Sequence, residues 1–268
     1  HGRTWRSLST ALPRGVYLHA VREDPKRKGL LYVGTERGVS YSPDDGATWK
    51  ELKLNLPTVA VHDLVVKGDD LVVGTHGRSI WILDDLTALR EWSPEVEARA
   101  AHLFTARSAV RWRYDGPVSS QAKNVGQNPP AGAVFHYWLK SEPRGDVVLE
   151  VLDAKGAVIR KLTSRKAEPE TPKDDPDPGW DDSERKPLPK GAGLRRAVWD
   201  LRHEGATKIK GAKIDSGDPS EGPMVLPGTY TARLTVDGQS YTTPVEVRLD
   251  PRMSVSPADL DEQLAFAL

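Results

Sequence analysis

The stretch "SPDDGATW", Ser42 to Trp49, lies between two segments rich in β-forming residues, and its interpretation decides the fold class. Two adjacent carboxylates beside a glycine suit a calcium loop, an acid pair for hydrolysis or a tight turn. An EF-hand loop needs oxygen ligands along a longer loop that ends in Glu. Glycoside hydrolysis needs two carboxyl groups that face each other across a substrate, which neighbours within a turn do not provide. We therefore expect a turn, in which Asp44 accepts backbone hydrogen bonds, Gly46 takes a positive φ and Trp49 covers the hairpin.

Parts of the first ninety residues repeat in the same register. The matching segments are "HGRTW" (1–5) with "DGATW" (45–49), "LYVGT" (31–35) with "LVVGT" (71–75), and "VYLHAV" (16–21) with "VAVHDL" (59–64). The first pair is separated by roughly 44 residues, a spacing typical of propeller blades. The third pair places His19 and His62 in equivalent strands. Each unit is predicted to contain short strands joined by turns.

The opening stretch matches the Asp-box pattern S-x-D-x-G-x-T-W and resembles the BNR-repeat β-propellers. The resemblance implies a structural role at the blade periphery for the five box residues, Ser42, Asp44, Gly46, Thr48 and Trp49. The segment "GTHGRSIWILDDLTALRE", residues 74–91, is similar to the closing blade of bacterial sortilin-like BNR proteins, many of which carry the label glycosyl hydrolase because of the repeat alone. The chain contains no cysteine, so the cysteine-rich chemistry of sortilin receptors is not expected.

A second pattern of strands begins at Ala131. The segments "AVFHYWLK" and "DVVLEVLDAKGAVIRKL" come first, and "LRRAVWDLRHEG" and "GTYTARLTVDGQSYTTPVEVRL" follow. Hairpin turns are predicted at residues 153–156 and at Asp237-Gly238. The order resembles the immunoglobulin-like domain of flagellar hook-capping proteins and of many secreted enzymes. The resemblance implies that Trp199 and Tyr230 are core aromatic residues.

These patterns predict an all-β protein in which a propeller fragment precedes a sandwich. The expected divisions are the last two blades, partly present, of a BNR/Asp-box β-propeller (1–90), a linker (91–130), an immunoglobulin-like β-sandwich (131–250) with a charged, proline-rich insertion expected to be disordered (164–193), and the start of a C-terminal helix (251–268). Ser256 is the predicted N-cap of that helix, with Asp259 at the capping-box position. The incomplete first motif and the apolar end of the helix lead us to expect more of the same chain at both ends.

Composition excludes several classes of function. Lys and Arg balance Asp and Glu, giving a net charge of +0, so no long-range field favours nucleic acid or an anionic membrane. No apolar run is long enough to span a bilayer. The sequence carries no phosphate-binding glycine loop, nucleophile elbow or H-E-x-x-H motif. We therefore predict no cofactor, no metal site and no catalytic residue, and a protein or glycan as the partner.

One polar constellation stands out as a candidate binding site. It consists of His62, Asp63, His76 and Arg78, together with His19 from the preceding unit. In propellers the first strand of each blade lines the central channel, so these residues are expected to converge at the channel or its upper rim. A His–Asp contact would orient an imidazole, and an arginine would provide an anion-binding fork. The alternative is that these residues tie the last blade to its neighbours through buried hydrogen bonds.

The sequence favours a non-catalytic, extracellular binding or scaffolding module that recognises a protein or a glycan. Two alternatives remain open. One is a xyloglucanase-like glycoside hydrolase whose catalytic residues lie mainly in N-terminal blades outside this sequence, and the other is an accessory subunit of a large assembly. The family resemblance implies that the protein is secreted, periplasmic or on the surface of a bacterial cell.

Overall fold

The computed structural model of the protein describes residues 2–12, 14–112, 128–166, 186–207 and 218–268. The described chain is mostly β-sheet with few helices, which confirms the predicted all-β class. It divides into two compact units, His1–Pro94 and Glu95–Leu268.

The first unit contains two antiparallel sheets in which neighbours in sequence are neighbours in space. The strands are β1 (Leu18–Glu23), β2 (Leu31–Thr35), β3 (Gly38–Ser42) and β4 (Lys50–Glu51) in one sheet, and β5 (Val61–Lys67), β6 (Asp70–Thr75) and β7 (Ile80–Leu83) in the other. A short 3-10 helix (Ser9–Ala11) precedes the first sheet, and α1 (Thr87–Glu91) follows the second. Residues of both sheets form one apolar cluster, in which Tyr32, Leu64 and Leu71 are fully buried.

The two sheets repeat the same local irregularity. In β1 the register shifts between Leu18 and Ala20, and in β5 it shifts between Val61 and Asp63. Each shift leaves one extra residue, so the paired β-bulges contain His19 and His62. A bulge turns a side chain away from the regular alternation of a strand. The repeated sequence segments thus fold into repeated backbone geometry.

The sheets of the first unit approach each other closely at one glycine. A Cβ atom built on Gly34 of β2 would lie 2.7 Å from the carbonyl oxygen of Val61 in β5. The equivalent residue of the second sheet is Gly74, where the nearest atom, the carbonyl oxygen of Asp63, would be 3.6 Å away. Only the first of these glycines is required by packing.

The second unit contains one three-stranded and one five-stranded sheet. Its elements are α2 (Pro94–Ala98), β8 (Ala101–Leu103), β9 (Ala109–Arg111), β10 (Ala133–Leu139), β11 (Val148–Leu152), β12 (Val158–Thr163), β13 (Gly193–Trp199), β14 (Gly228–Val236), β15 (Gln239–Leu249) and α3 (Pro257–Ala267). The strand orders are β13-β10-β8 and β12-β11-β14-β15-β9. Strand β9 runs parallel to β15.

Residues from both sheets of the second unit share one apolar core. Every second residue of β10 is buried, as expected of a strand with one face on a core. Trp199 is fully buried, and its ring lies edge-on to Tyr230 with the centroids 5.4 Å apart. The Tyr230 hydroxyl donates a hydrogen bond to the carbonyl of Leu226 at 2.8 Å. Trp199 belongs to this core, and Tyr230 packs against it.

The structure differs from the sequence interpretation in the segment 91–130, which was expected to be a linker. Within this segment Leu103 pairs with β10, while residues 109–111 pair with β15 in the other sheet. Ala101 and Leu103 are buried, and this apolar alternation draws β8 into the core. The rest of the expected linker includes residues 113–127, which lie outside the described residues.

The expected insertion at 164–193 lies partly outside the described chain, which omits residues 167–185. Of the described remainder, Leu188 belongs to the core and is 7% exposed. Its backbone N–H donates to the carbonyl of Thr163 at 2.9 Å. The end of the expected insertion is therefore packed against the core of the second unit.

The capping arrangement predicted for the last helix is present. The Ser256 side chain accepts a hydrogen bond from the Asp259 N–H at 3.2 Å, and the Asp259 carboxylate accepts one from the Ser256 N–H at 3.2 Å. Pro257 occupies the first helical position, where its missing N–H costs nothing.

Candidate functional site

The Asp-box turn is held by hydrogen bonds among its own residues. Asp44 Oδ1 accepts hydrogen bonds from the Ser42 hydroxyl and the Thr48 N–H, each at 2.8 Å, and its Oδ2 accepts one from the Thr48 hydroxyl at 2.6 Å. The Gly46 N–H donates to Ser42 Oγ at 2.8 Å, and Gly46 has a φ of 80°. The Trp49 indole N–H donates to the carbonyl of Leu8 at 3.0 Å. These hydrogen bonds, together called the Asp-box clasp, hold the turn closed.

The carboxylate of Asp44 is used within the turn. Burial works against its charge, but hydrogen bonds from Thr48 and Ser42 prevail and lower the pKa of Asp44 below its usual range. The neighbouring Asp45 has a positive φ of 58° and pairs at 3.4 Å with Arg6, where both side chains are exposed. The two carboxylates thus serve different local contacts.

The second acidic pair, at residues 84 and 85, introduces a helix. Asp85 has a positive φ of 65°, and its Oδ1 accepts a hydrogen bond from the Thr87 N–H at 3.0 Å. The Asp85 N–H donates to Asp70 Oδ1 at 3.0 Å. Asp85 therefore satisfies an N–H of the first turn of α1, a group that has no partner within the helix.

Three histidines of the candidate constellation form a column of rings. The centroids of His19 and His62 lie 4.5 Å apart with a tilt of 48°, and those of His62 and His76 lie 4.9 Å apart with a tilt of 37°. All three side chains are exposed. The two bulges and the end of β6 bring them together, and the His76 N–H donates to the carbonyl of Ala60 at 2.8 Å. The three histidines are exposed, whereas the alternative interpretation expected them to form buried hydrogen bonds between blades.

The other two residues of the constellation take separate positions. The carboxylate of Asp63 pairs with Arg22 at 2.7 Å and accepts a hydrogen bond from the Leu64 N–H at 2.8 Å. No hydrogen bond joins Asp63 to His62 in the described chain. Arg78 is exposed, and its guanidinium has no hydrogen-bond or ion-pair partner among the residues that the structure describes.

The histidine column is not arranged as a metal centre. Within the described ranges, no three or more His, Cys, Asp or Glu side chains are placed to hold one metal ion.

An ion cluster built around a fully buried aspartate in the first unit was not expected from the sequence. The Asp24 side chain is completely buried, and both of its oxygens accept hydrogen bonds from Arg90 Nε at 3.0 Å. Arg90 also binds Asp69, which pairs with Lys26 at 2.6 Å. The hydrogen bond from Lys26 is the largest contribution to a lowered pKa of Asp69.

Tyr32 completes the cluster through its hydroxyl, which donates to Asp24 Oδ2 at 3.2 Å. Burial, and then the neighbouring Asp24 charge, raise the pKa of Tyr32. Asp24 and Arg90 are far apart in sequence, so no local pattern signals their contact. We interpret the cluster as structural, because each of its charges is paired inside the unit.

No family model and no curated protein matches this sequence. Among solved structures, the extracellular domain of a hybrid two-component system from B. thetaiotaomicron is similar with a TM-score of 0.23 and 10% sequence identity. The match covers 93% of this chain and 26% of that chain. A likeness this low carries no argument about fold or function.

The helices of the described chain are all too short or too polar to cross a lipid bilayer.

Proposed function

We propose that this chain is a non-catalytic, extracellular binding module that recognises an acidic group on a protein or glycan partner. The contact surface is the histidine rim, defined as His19, His62, His76 and Arg78. The framework is a pair of BNR-type propeller blades followed by an immunoglobulin-like sandwich, as the resemblance of the sequence implies.

The framework part of this proposal is supported by geometry that recurs. Two antiparallel sheets carry a β-bulge at equivalent residues, and the Asp box closes a hairpin of the first sheet as a hydrogen-bonded clasp. In the second unit, Tyr230 bonds a carbonyl four residues upstream, which is similar to the tyrosine corner of immunoglobulin-like domains. These features support the two fold assignments independently of each other.

The exposed column of imidazoles, with the unpaired Arg78 two residues after His76 in the chain, is the observation that carries the function. Imidazole and guanidinium groups donate hydrogen bonds to carboxylate or sulfate oxygens, and a guanidinium does so with two parallel bonds. The column is exposed, so these donors are accessible to a macromolecule. The proposal that the chain is non-catalytic rests on Asp44 of the Asp box, whose carboxylate already accepts hydrogen bonds within its own turn.

The test is surface plasmon resonance with two immobilised probes, polygalacturonate and a polyglutamate peptide. We expect the chain to bind one of them, and binding to weaken as salt is raised because exposed charges are screened. The double variant His62→Ala/Arg78→Ala should bind at least tenfold more weakly. The control Arg144→Ala, which removes an exposed arginine of the second unit, should bind like the wild type. Equal binding by the double variant and the wild type would refute the rim as the contact surface.

A second candidate role, as a subunit of a larger assembly, is favoured by an exposed apolar face on the second sheet. Val65, Ile80 and Ile82 are 46%, 69% and 57% exposed. The equivalent face of the first sheet, with Tyr32 and Gly34, packs against the second sheet. This equivalence favours another sheet of the same repeat type as the partner, and a second copy of the chain can supply such a sheet.

Sedimentation velocity tests this second role. The wild type should self-associate as its concentration rises, and Ile82→Lys should remain monomeric at the same concentrations. A wild-type chain that stays monomeric throughout would rule the role out.

A further inference from the structure

A cleft of about 500 Å³ opens in the first unit and shares no residue with the histidine rim. Its volume lies within the range of about 300–1,000 Å³ that is usual for small-molecule sites. Its lining combines aliphatic, aromatic and charged side chains, including Leu12, Val16, Arg37, Ser40, Trp49 and Glu51. The site is thus neither a purely apolar groove nor a simple charged patch.

Three polar side chains of the cleft have unused hydrogen-bonding capacity. Ser40 of β3 and Glu51 of β4 are directly paired, so they lie on the same face of the sheet. Arg37 lies in the turn before β3, where only its backbone N–H is engaged, by Thr35 Oγ1 at 3.1 Å. Across the described part of the molecule, the side chains of Arg37, Ser40 and Glu51 have no hydrogen-bond partner. A hydroxyl, a carboxylate and a guanidinium are therefore available in one cleft.

Trp49 gives this cleft a fixed aromatic wall. The hydrogen bond from its indole N–H to the Leu8 carbonyl, at 3.0 Å, fixes the ring orientation. The side chain is half-buried, so part of the ring surface remains accessible. Neighbouring aliphatic residues, Leu12 and Val16, extend the apolar surface. Such a wall accepts the apolar face of a flat or ring-shaped ligand.

We infer that the cleft binds a short, neutral oligosaccharide. A pyranose ring has an apolar face that packs on an indole, and an edge of hydroxyl groups that both donate and accept hydrogen bonds. Glu51 can accept from two adjacent hydroxyls, while Arg37 donates to hydroxyl or ring oxygens. An acyl chain would offer no hydrogen-bond partner to Arg37, Ser40 or Glu51, whereas a sugar offers partners to all three. A peptide remains an outcome that the test distinguishes.

Isothermal titration calorimetry on the whole chain tests the inference. The probes are cellotetraose, xylotetraose, mannotetraose and chitotetraose, with a tetra-alanine peptide as the non-sugar arm. We expect at least one tetrasaccharide to bind and the peptide not to bind. Arg37→Gln and Glu51→Gln should each weaken the binding at least tenfold, because each removes hydrogen bonds that involve a charged group.

The controls separate the cleft from the fold and from the histidine rim. Arg144→Gln and Glu262→Gln change exposed side chains of the second unit and should bind like the wild type. Trp49→Ala should abolish binding, but it also removes the clasp to Leu8, so the two polar variants decide the question. His62→Ala/Arg78→Ala should leave the binding of neutral sugars unchanged. The inference is overturned if no tetrasaccharide binds at millimolar concentration, if only the peptide binds, or if Arg37→Gln and Glu51→Gln bind sugar as the wild type does.

Discussion

Removing Arg90 should destabilise the first unit more than removing any exposed arginine of that unit. In the variant Arg90→Met, the fully buried Asp24 carboxylate loses its charged partner, whose two contacts measure 3.0 Å. It keeps three weaker donors, the N–H groups of Lys26 at 2.8 Å and Arg27 at 3.1 Å and the hydroxyl of Tyr32 at 3.2 Å. A buried charge then remains without a compensating charge.

The expected loss in the free energy of unfolding of the first unit follows from this geometry. Removing one partner of a buried ion pair costs about 3–5 kcal/mol. Arg90 also donates to the carbonyl of Gly68 at 3.0 Å and binds Asp69, so we expect no smaller value. At about 1.4 kcal/mol for each factor of ten, the opening equilibrium should rise by a factor of at least roughly 10². The variant Arg6→Met breaks a pair in which both side chains are 71% exposed, and should cost less than about 1 kcal/mol.

Hydrogen-exchange mass spectrometry on peptides that cover β2 and β6 measures this cost within the first unit. If Arg90→Met proves too unstable to study, the double variant Asp24→Asn/Arg90→Met keeps the test possible. It removes both charges and should be more stable than Arg90→Met alone, which defines a coupling energy between the two sites. Protection in Arg90→Met equal to that of Arg6→Met would refute the proposed role of the cluster.

Three further predictions concern single positions. Gly34→Ala places a Cβ atom 2.7 Å from a carbonyl of the neighbouring sheet and should lower the free energy of unfolding by about 1–3 kcal/mol. Gly74→Ala should be tolerated, and thermal unfolding compares the two variants. Asp44→Ala removes three hydrogen bonds from the turn and should cost about 1–2 kcal/mol, which urea denaturation measures. Hydrogen bonds from Arg252 lower the pKa of Asp250 to about 2, so its carboxyl resonance should titrate near that value, and Arg252→Gln should move the midpoint up towards 3.8.

The parts of the fold that the sequence predicts are those set by local chemistry. The Asp-box turn depends on a carboxylate, a hydroxyl and a glycine within a few residues, and it forms as expected. The helix cap at Ser256 depends on residues three apart, and it is also present. The equivalent strands around His19 and His62 follow from repeated segments.

The features that the sequence does not reveal depend on contacts between distant segments. The pairing of Asp24 with Arg90 joins a loop to a later helix, so no pattern of sequence spacing predicts it. Strands β8 and β9 are three residues each, too short for their alternation to separate them from a linker. His76 joins the column because the end of β6 turns towards the bulge of β5, a result of tertiary geometry.

The cleft of the first unit was equally hidden in the sequence. Arg37 and Glu51 lie in ordinary charged positions, and Trp49 was assigned only to the turn. The register of β3 and β4 places Ser40 opposite Glu51, and Ala11, Leu12 and Val16, which precede β1, also line the cleft. A cleft lined by residues from separate segments of the chain can be recognised only from the coordinates.

The most direct test of the proposed non-catalytic role asks whether the chain binds a polysaccharide without hydrolysing it. The purified wild-type chain is incubated with xyloglucan, cellulose, mannan, chitin and polygalacturonate, and two quantities are measured on each: retained protein and newly formed reducing ends. We predict retention on at least one polysaccharide with no increase in reducing ends. Reducing ends that the wild type produces and Glu51→Gln does not would contradict a non-catalytic role.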